Sequence, residues 1–176
     1  MNLQTLHKIF EYLSLHNKVY QEPAIPRIPE KFILGSIAEI EERYELVTTN
    51  HHGTSGWDSF LAWKIDDPEF IKWAQPYFDF DLTEHKRTFT YQAMMPEVTK
   101  HKDLHRKYVY NYILDAGGDE VDTVFFDDVT EDANELFRFR IPTHKWNRLH
   151  VKTPHEVVGQ TKRRLGITVC KVTKQP

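Results

Sequence analysis

The hydrophobic and polar positions in the first half of the chain follow helical spacing. In residues 2–16, apolar side chains recur three to four positions apart, which predicts an amphipathic helix. Three prolines within residues 21–31 remove backbone donors, so this segment is predicted to be an extended connector. Two further helices are predicted at Ser36–Tyr44, with Ser36 as the N-cap, and at Pro68–Ala74.

Beyond residue 86 the pattern changes to short runs of β-branched and aromatic residues, separated by turns that contain Gly, Pro or Asp. Regularly spaced runs of this kind predict a mainly β fold, a sandwich or jelly roll, with the N-terminal helices packed against one of its faces. The predicted strands are Arg87–Met94, Tyr108–Leu114, Val121–Phe126, Leu136–Ile141, Trp146–Val151 and Arg164–Val172.

The length and the absence of an internal repeat predict one domain over residues 1–176. Residues 1–86 would form a helical and loop support region, and residues 87–172 would form the β core. Within the support region, the polar segment 47–59 has no periodicity and is typical of a solvated loop or a lid. Its His51-His52 pair is a weak metal candidate, because adjacent side chains on a strand point in opposite directions.

Composition narrows the class of protein. The 176 residues are 40% hydrophobic and 13% aromatic, which suits a packed core. The formal net charge is −3 with both signs scattered, whereas a nucleic-acid or membrane-surface binder would carry a basic footprint. Cys170 is the only cysteine, and neither a long apolar run nor a signal-peptide pattern is visible. We therefore expect a cytoplasmic protein without a nucleic-acid or membrane partner, of unknown oligomeric state.

The segment from residue 95 to residue 114 carries the most informative polar residues, centred on His101 and Asp103. In an extended chain, residues two positions apart project to the same face, so this imidazole and carboxylate could meet at one metal ion. They would supply two of the three ligands of a 2-His-1-carboxylate site. Alone the pair is uninformative, because about one or two such pairs occur by chance at this composition, and a turn residue followed by a cap explains it equally well.

Two residues further along strengthen the pattern. His155 follows the predicted strand at Trp146–Val151, and Arg164 opens the last strand. In that strand, Arg164, Gly166 and Thr168 share one face, while the apolar residues between them form the other. A buried guanidinium requires an anionic partner, which is either a protein carboxylate or a ligand. Its planar fork suits a carboxylate, so the sequence predicts an anion pocket.

This combination resembles the Fe(II)/2-oxoglutarate-dependent dioxygenases, especially the aspartyl/asparaginyl- and prolyl-hydroxylase-like branches. The resemblance covers residues 87–172 and includes the flanking sequences FTYQAMMPEVTKHKD and W-x-x-L-x-x-x-x-P-H-x-V. It implies a double-stranded β-helix, a cupin-like jelly roll buttressed by helices. It also implies that the iron ligands and catalytic residues are His101, Asp103 and His155, with Arg164 binding the distal carboxylate of 2-oxoglutarate.

The resemblance implies an enzyme that uses Fe(II), 2-oxoglutarate and O2, with ascorbate as a candidate reductant. Its substrate would be an unactivated C–H bond of a peptide side chain, an amino acid or a small metabolite. Further candidates for hydrogen bonds to the cosubstrate or to the metal ligands are Tyr91, Tyr108, Tyr110 and Asn111, although core packing with a satisfied polar tip is the favoured interpretation of each. Arg106 could bind the substrate, but a surface charge is its favoured interpretation.

Three alternatives stay open or are excluded at this point. Arg163 adjoins Arg164, so a shift of one residue in register would exchange their roles. A cupin-like barrel that binds a metal or ligand without oxidation, or an interaction module, is the competing interpretation, and an arginine beside the metal site argues against it. A zinc-protease helix at HKDLH is excluded, because Lys102 stands where that motif needs a glutamate.

Overall fold

The computed structural model describes residues 13–50, 60–96 and 99–172. Most of the helix predicted at residues 2–16 lies outside these residues, and the described part is helical from residue 13 to residue 19. The His51-His52 pair also lies outside the described residues.

The described part of the chain contains three α-helices and nine β-strands, and most of the strands follow the helices. In chain order they are α1 (13–19), β1 (Tyr20–Gln21), α2 (Glu30–Asn50), β2 (Phe60–Lys64), α3 (Pro68–Ala74) with a 3-10 turn at Gln75–Tyr77, β3 (Phe89–Met94), β4 (Tyr108–Asp115), β5 (Asp122–Phe126), β6 (Glu135–Phe139), β7 (Trp146–His150), β8 (His155–Val158) and β9 (Arg164–Val169). None of the described helices is long and apolar enough to cross a lipid bilayer.

The strands form two antiparallel sheets. The larger sheet has the order β1-β7-β4-β9-β3-β2, and the smaller has the order β6-β5-β8. Beyond β8, the smaller sheet is extended by an isolated antiparallel bridge between His101 and His155. Most neighbouring strands are therefore non-consecutive in the chain, the exceptions being β2 with β3 and β5 with β6, and the predicted mainly β, cupin-like jelly roll is confirmed.

Helices α2 and α3 cover the outer face of the larger sheet. Phe70 of α3 packs between Phe32 of α2 and Phe89 of β3, with ring centroids 4.6 and 5.0 Å away. α3 begins where the sequence predicted, because Asp67 accepts hydrogen bonds from the backbone N–H groups of residues 69 and 70. This apolar layer fixes the larger sheet, so that its other face is free to form an interior.

Both predicted boundaries of the helix at Ser36–Tyr44 are wrong. At its C-terminal end, α2 continues to Asn50 and so includes residues 47–50 of the segment that was predicted as a loop. α2 begins at Glu30, so Ser36 lies inside the helix and is buried rather than serving as its N-cap. The backbone carbonyl of Pro29 accepts the N–H groups of Phe32 and Ile33, which starts the first turn directly after the proline-containing connector. A proline that ends an extended segment thus serves as the local start signal.

Strand β9 shows how the interior and the helix-covered face are separated. Leu165, Ile167 and Val169 belong to the core beneath α2 and α3. A second core cluster lies between the two sheets and includes Val109 of β4 and Phe125 of β5. The polar side chains of β9 point toward this interior, because successive residues of a strand alternate between its faces.

Candidate functional site

A cavity of about 510 Å³ lies between the two sheets. Its volume falls within the range of roughly 300–1,000 Å³ that is usual for small-molecule sites. The lining residues that bear polar or charged side chains are Gln92, Thr99, His101, Asp103, Arg106, Asn111, Thr123, His155, Arg164 and Thr168. Apolar lining comes from both sheets, including Phe60, Met94, Val109, Leu149 and Val157.

Two histidines stand side by side in this cavity. The N–H of His101 donates to the carbonyl of His155 over 3.0 Å, and the N–H of His155 donates back over 2.8 Å. This reciprocal bridge brings the two ring centroids to 4.6 Å from each other. Residues more than fifty positions apart in the chain are therefore paired by the backbone itself.

Backbone carbonyls also orient both imidazoles. Nδ1 of His101 lies 2.8 Å from the carbonyl of Thr99, and Nδ1 of His155 lies 2.9 Å from the carbonyl of Thr153. A carbonyl can only accept, so Nδ1 carries the proton in each ring and Nε2 keeps its lone pair. Burial and the neighbouring His101 lower the pKa of His155 to about 4, so its ring is neutral at neutral pH. Such an imidazole is ready to bind a metal ion.

The carboxylate of Asp103 lies in the same cavity but is already engaged. Its Oδ2 is 2.8 Å from Nη2 of Arg106, and the backbone N–H of Asp103 donates to the carbonyl of Val151 over 2.8 Å. The Arg106 side chain is 25% exposed and lines the cavity, so its interpretation as a surface charge is wrong. A short turn places it there, because residues three positions apart at a strand end can reach one another.

The three predicted metal ligands thus share one cavity, and their donor types suit Fe(II). Among the residues that the structure describes, however, no group of three or more His, Cys, Asp or Glu side chains is placed so that it could hold a metal ion. The two imidazoles lie side by side, with 4.6 Å between their ring centroids. The carboxylate of Asp103, the third candidate ligand, is instead paired with Arg106.

Arg164 is buried in the cavity wall, where it is 8% exposed. Burial lowers the pKa of its guanidinium to about 10, so the group stays charged at neutral pH. Within the described ranges, no carboxylate forms an ion pair with this guanidinium and no acceptor forms a hydrogen bond with it. A buried guanidinium without a countercharge is costly, so an anion bound in the cavity would stabilise it.

The neighbouring arginine lies outside the cavity. Nη2 of Arg163 is 2.9 Å from a carboxylate oxygen of Glu41 on α2, and its guanidinium stacks over the ring of Tyr44 with 4.0 Å between guanidinium carbon and ring centroid. Alternation along β9 accounts for the difference. The register observed therefore places Arg164, and not Arg163, in the lining of the cavity.

The remaining predicted site residues divide between the two faces of the larger sheet. Asn111 lines the cavity, where its side-chain carbonyl accepts a 2.7 Å hydrogen bond from the hydroxyl of Thr168. Tyr91 packs into the core under the helices. The ring of Tyr108 lies beneath the guanidinium of Arg148, with 3.8 Å between the ring centroid and the guanidinium carbon. The structure therefore moves Tyr91 and Tyr108 out of the candidate site, because their positions on β3 and β4 point away from it.

Comparisons with known proteins place this geometry among known folds. No protein-family model matches the sequence, and no curated protein is significantly similar to it. A prolyl hydroxylase from Trichoplax adhaerens, solved in complex with a peptide fragment of the hypoxia inducible factor oxygen degradation domain, is 12% identical with a TM-score of 0.50, over 98% of this chain and 94% of its own.

Two further solved structures are similar at lower scores. IDO from Bacillus thuringiensis is 10% identical with a TM-score of 0.42, over 94% of this chain and 97% of its own. AviO1 from Streptomyces viridochromogenes Tue57 is 12% identical with a TM-score of 0.44, over 90% and 92%. The chain thus has the jelly-roll fold of the prolyl hydroxylase, the oxygenase-like fold that the sequence motifs predicted.

Proposed function

We propose that the protein is an Fe(II)- and 2-oxoglutarate-dependent oxygenase that hydroxylates an unactivated C–H bond. The observation that carries this proposal is the buried Arg164 guanidinium, which has no charged partner in the part of the chain that the structure describes and lies in the same cavity as the paired imidazoles. A protein without a small-molecule anion to bind has no reason to bury such a charge. The proposal treats the chain as one domain acting in a reducing compartment such as the cytoplasm, which suits its single cysteine.

Three side chains would hold the metal ion. His101 and His155 would bind through Nε2, since Nδ1 of each ring is bonded to a backbone carbonyl. Asp103 would supply the carboxylate that completes a 2-His-1-carboxylate site. A ferrous ion bound there would supply the activation of dioxygen that oxidation of a C–H bond requires.

The other residues of the cavity would position the cosubstrate. Arg164 would bind the distal carboxylate of 2-oxoglutarate through its guanidinium fork. The Thr168 hydroxyl and the Asn111 amide lie on the adjacent positions of β9 and β4, where they could hydrogen-bond to the same molecule. Apolar residues such as Val109 and Leu149 line the rest of the cavity and would exclude water.

The prime substrate is proposed only as a class. The prolyl hydroxylase with the same fold was solved with a bound peptide fragment. A peptide side chain is therefore one candidate, beside a free amino acid or a small metabolite. Fold likeness does not choose among them, because substrate choice depends on the particular site.

Succinate formation tests the proposal. The protein is incubated with 2-oxoglutarate, Fe(II), ascorbate and O2 without a prime substrate, and succinate is measured. We expect slow turnover by the wild type and by Arg163→Gln, whose arginine lies outside the cavity. His155→Ala should abolish turnover. Arg164→Gln should raise the 2-oxoglutarate concentration required by about a hundredfold, because a charge-assisted bidentate contact is lost, while leaving metal affinity intact.

If the Arg163 and Arg164 substitutions raise the required 2-oxoglutarate concentration equally, the carboxylate-binding role proposed for Arg164 is contradicted. Equal loss of metal affinity in the His155 and Arg164 variants would contradict the division between metal ligands and carboxylate clamp. Metal affinity is measured in each variant beside succinate formation, so the metal ligands and the carboxylate clamp are tested separately.

A cupin-like module that binds a ligand without oxidation is the second candidate. It is favoured by the observation that no three described metal-binding side chains are placed to hold an ion. On this reading Arg164 still binds a carboxylate, but Fe(II) is not bound. Calorimetry separates the two: binding of 2-oxoglutarate without Fe(II) binding or succinate formation would support the module and reject the oxygenase.

A further inference from the structure

We infer that Arg106 competes with the metal ion for Asp103, so that the three-ligand set forms only when the ion displaces the guanidinium from the carboxylate. The inference rests on the proposed function, since it concerns how the same site takes up its metal. It starts from the disagreement between a suitable donor set and the absence of a three-ligand arrangement in the described residues.

The ion pair has the features of a strong interaction. Nη2 of Arg106 lies 2.8 Å from Oδ2 of Asp103, and the two side chains are only 25% and 13% exposed. Charges withdrawn from water in this way attract each other more strongly than a pair at the surface. An approaching cation must therefore overcome both the attraction within this pair and the repulsion from Arg106.

Backbone hydrogen bonds hold the main chain around the site, whereas the side-chain carboxylate of Asp103 can rotate to another partner. His101 and His155 are joined by two backbone hydrogen bonds, and the N–H of Asp103 is fixed to the carbonyl of Val151. Rotation of the Asp103 side chain thus changes its partner without breaking any of these bonds.

A second pair with the same sequence spacing shows that the cavity, and not the spacing, distinguishes Arg106. Arg138 pairs with Glu135, also three residues apart, but these side chains are 51% and 38% exposed and do not line the cavity. Exposed ion pairs of this kind contribute little to stability. The Glu135–Arg138 pair also involves none of the candidate metal ligands. Arg138→Gln is therefore a matched control for Arg106→Gln.

Titration with Mn(II) tests the inference on full-length protein that has been treated with a chelator. Removing the competing charge with Arg106→Gln should tighten Mn(II) binding by about tenfold, because one unit charge no longer repels the ion at a partly buried site. Arg106→Lys keeps the charge, so its affinity should stay within about threefold of the wild type. Arg138→Gln should leave the affinity unchanged. A merely structural role of Arg106 would weaken binding instead.

Several outcomes would overturn the inference. If the wild type binds Mn(II) and Arg106→Gln binds it equally or more weakly, the competition is rejected while the proposed function stands. If Arg138→Gln or Arg106→Lys tightens binding as much as Arg106→Gln, the effect does not come from the paired charge in the cavity. If no variant binds Mn(II), both the inference and the proposed function fail. Circular dichroism checks folding, and Arg106→Met replaces the glutamine variant if that variant is unfolded.

Discussion

The two faces of strand β9 carry neighbouring residues in opposite environments. On the helix-covered face, Leu165 and Val169 are buried and pack against other apolar side chains of the same core cluster. On the cavity face, Arg164 is equally buried but has no partner among the described residues. The side chains of one face are satisfied by other described residues, whereas the charge of Arg164 on the other face is the one that the proposed function assigns to an anion. A single step along the strand thus separates a residue of the core from a residue of the candidate site.

Truncation on the helix-covered face should have the largest effect on stability. Leu165→Ala removes buried apolar volume and leaves a cavity, so the free energy of unfolding should fall by about 2–4 kcal/mol. Urea denaturation measures this loss. Under the proposed function, the folded fraction of the variant should bind 2-oxoglutarate with the same affinity as the wild type. A weaker affinity in the variant alone would show that the two faces are not independent.

Substitution on the cavity face should change stability in the opposite direction. Arg164→Met replaces an unpaired buried charge with an apolar side chain, so the free energy of unfolding should rise by about 1–2 kcal/mol in the absence of ligand. Leu165→Met is the matched control and should cost less than about 1.5 kcal/mol, since it nearly conserves volume. Denaturant unfolding of both variants compares them. A loss of stability in Arg164→Met would mean that the guanidinium has a protein partner after all.

The smallest effect is expected at Thr168. Thr168→Val removes the hydroxyl that donates to Asn111, which should lower the free energy of unfolding by about 1 kcal/mol and weaken 2-oxoglutarate binding a few-fold. The double variant Thr168→Val with Asn111→Leu removes both polar partners. If it is no more stable than the sum of the two single changes predicts, the hydrogen bond is not coupled as the structure indicates.

Local signals made part of the fold predictable. α3 has an Asp-Pro start, and the six strands predicted beyond residue 86 overlap β3, β4, β5, β6, β7 and β9. The strands that were not predicted lack such signals. β8 is four residues long and directly follows Pro154, while β2 is an edge strand that follows a polar segment. Their strand character comes from pairing with neighbours that are distant in sequence.

The candidate site was predictable in its residue types but not in its contacts. The sequence pointed to His101, His155 and Arg164 because their spacing resembles that of a known family, and the structure brings them to one cavity. Tyr91 and Tyr108 were misplaced because the sequence does not reveal which face of a strand points inward, and a shift of one residue reverses it. The ion pair of Arg106 depends on a turn whose shape the residue pattern does not specify.

The anchoring of both imidazoles by main-chain carbonyls has a consequence for how this site can diverge. The acceptors at positions 99 and 153 are carbonyl oxygens, which every amino acid carries. Replacement of either threonine by another residue that keeps an extended backbone should therefore leave both rings aimed as they are. The orientation of the paired imidazoles is set by the backbone conformation, so the residues at positions 99 and 153 can be substituted during evolution without turning the rings.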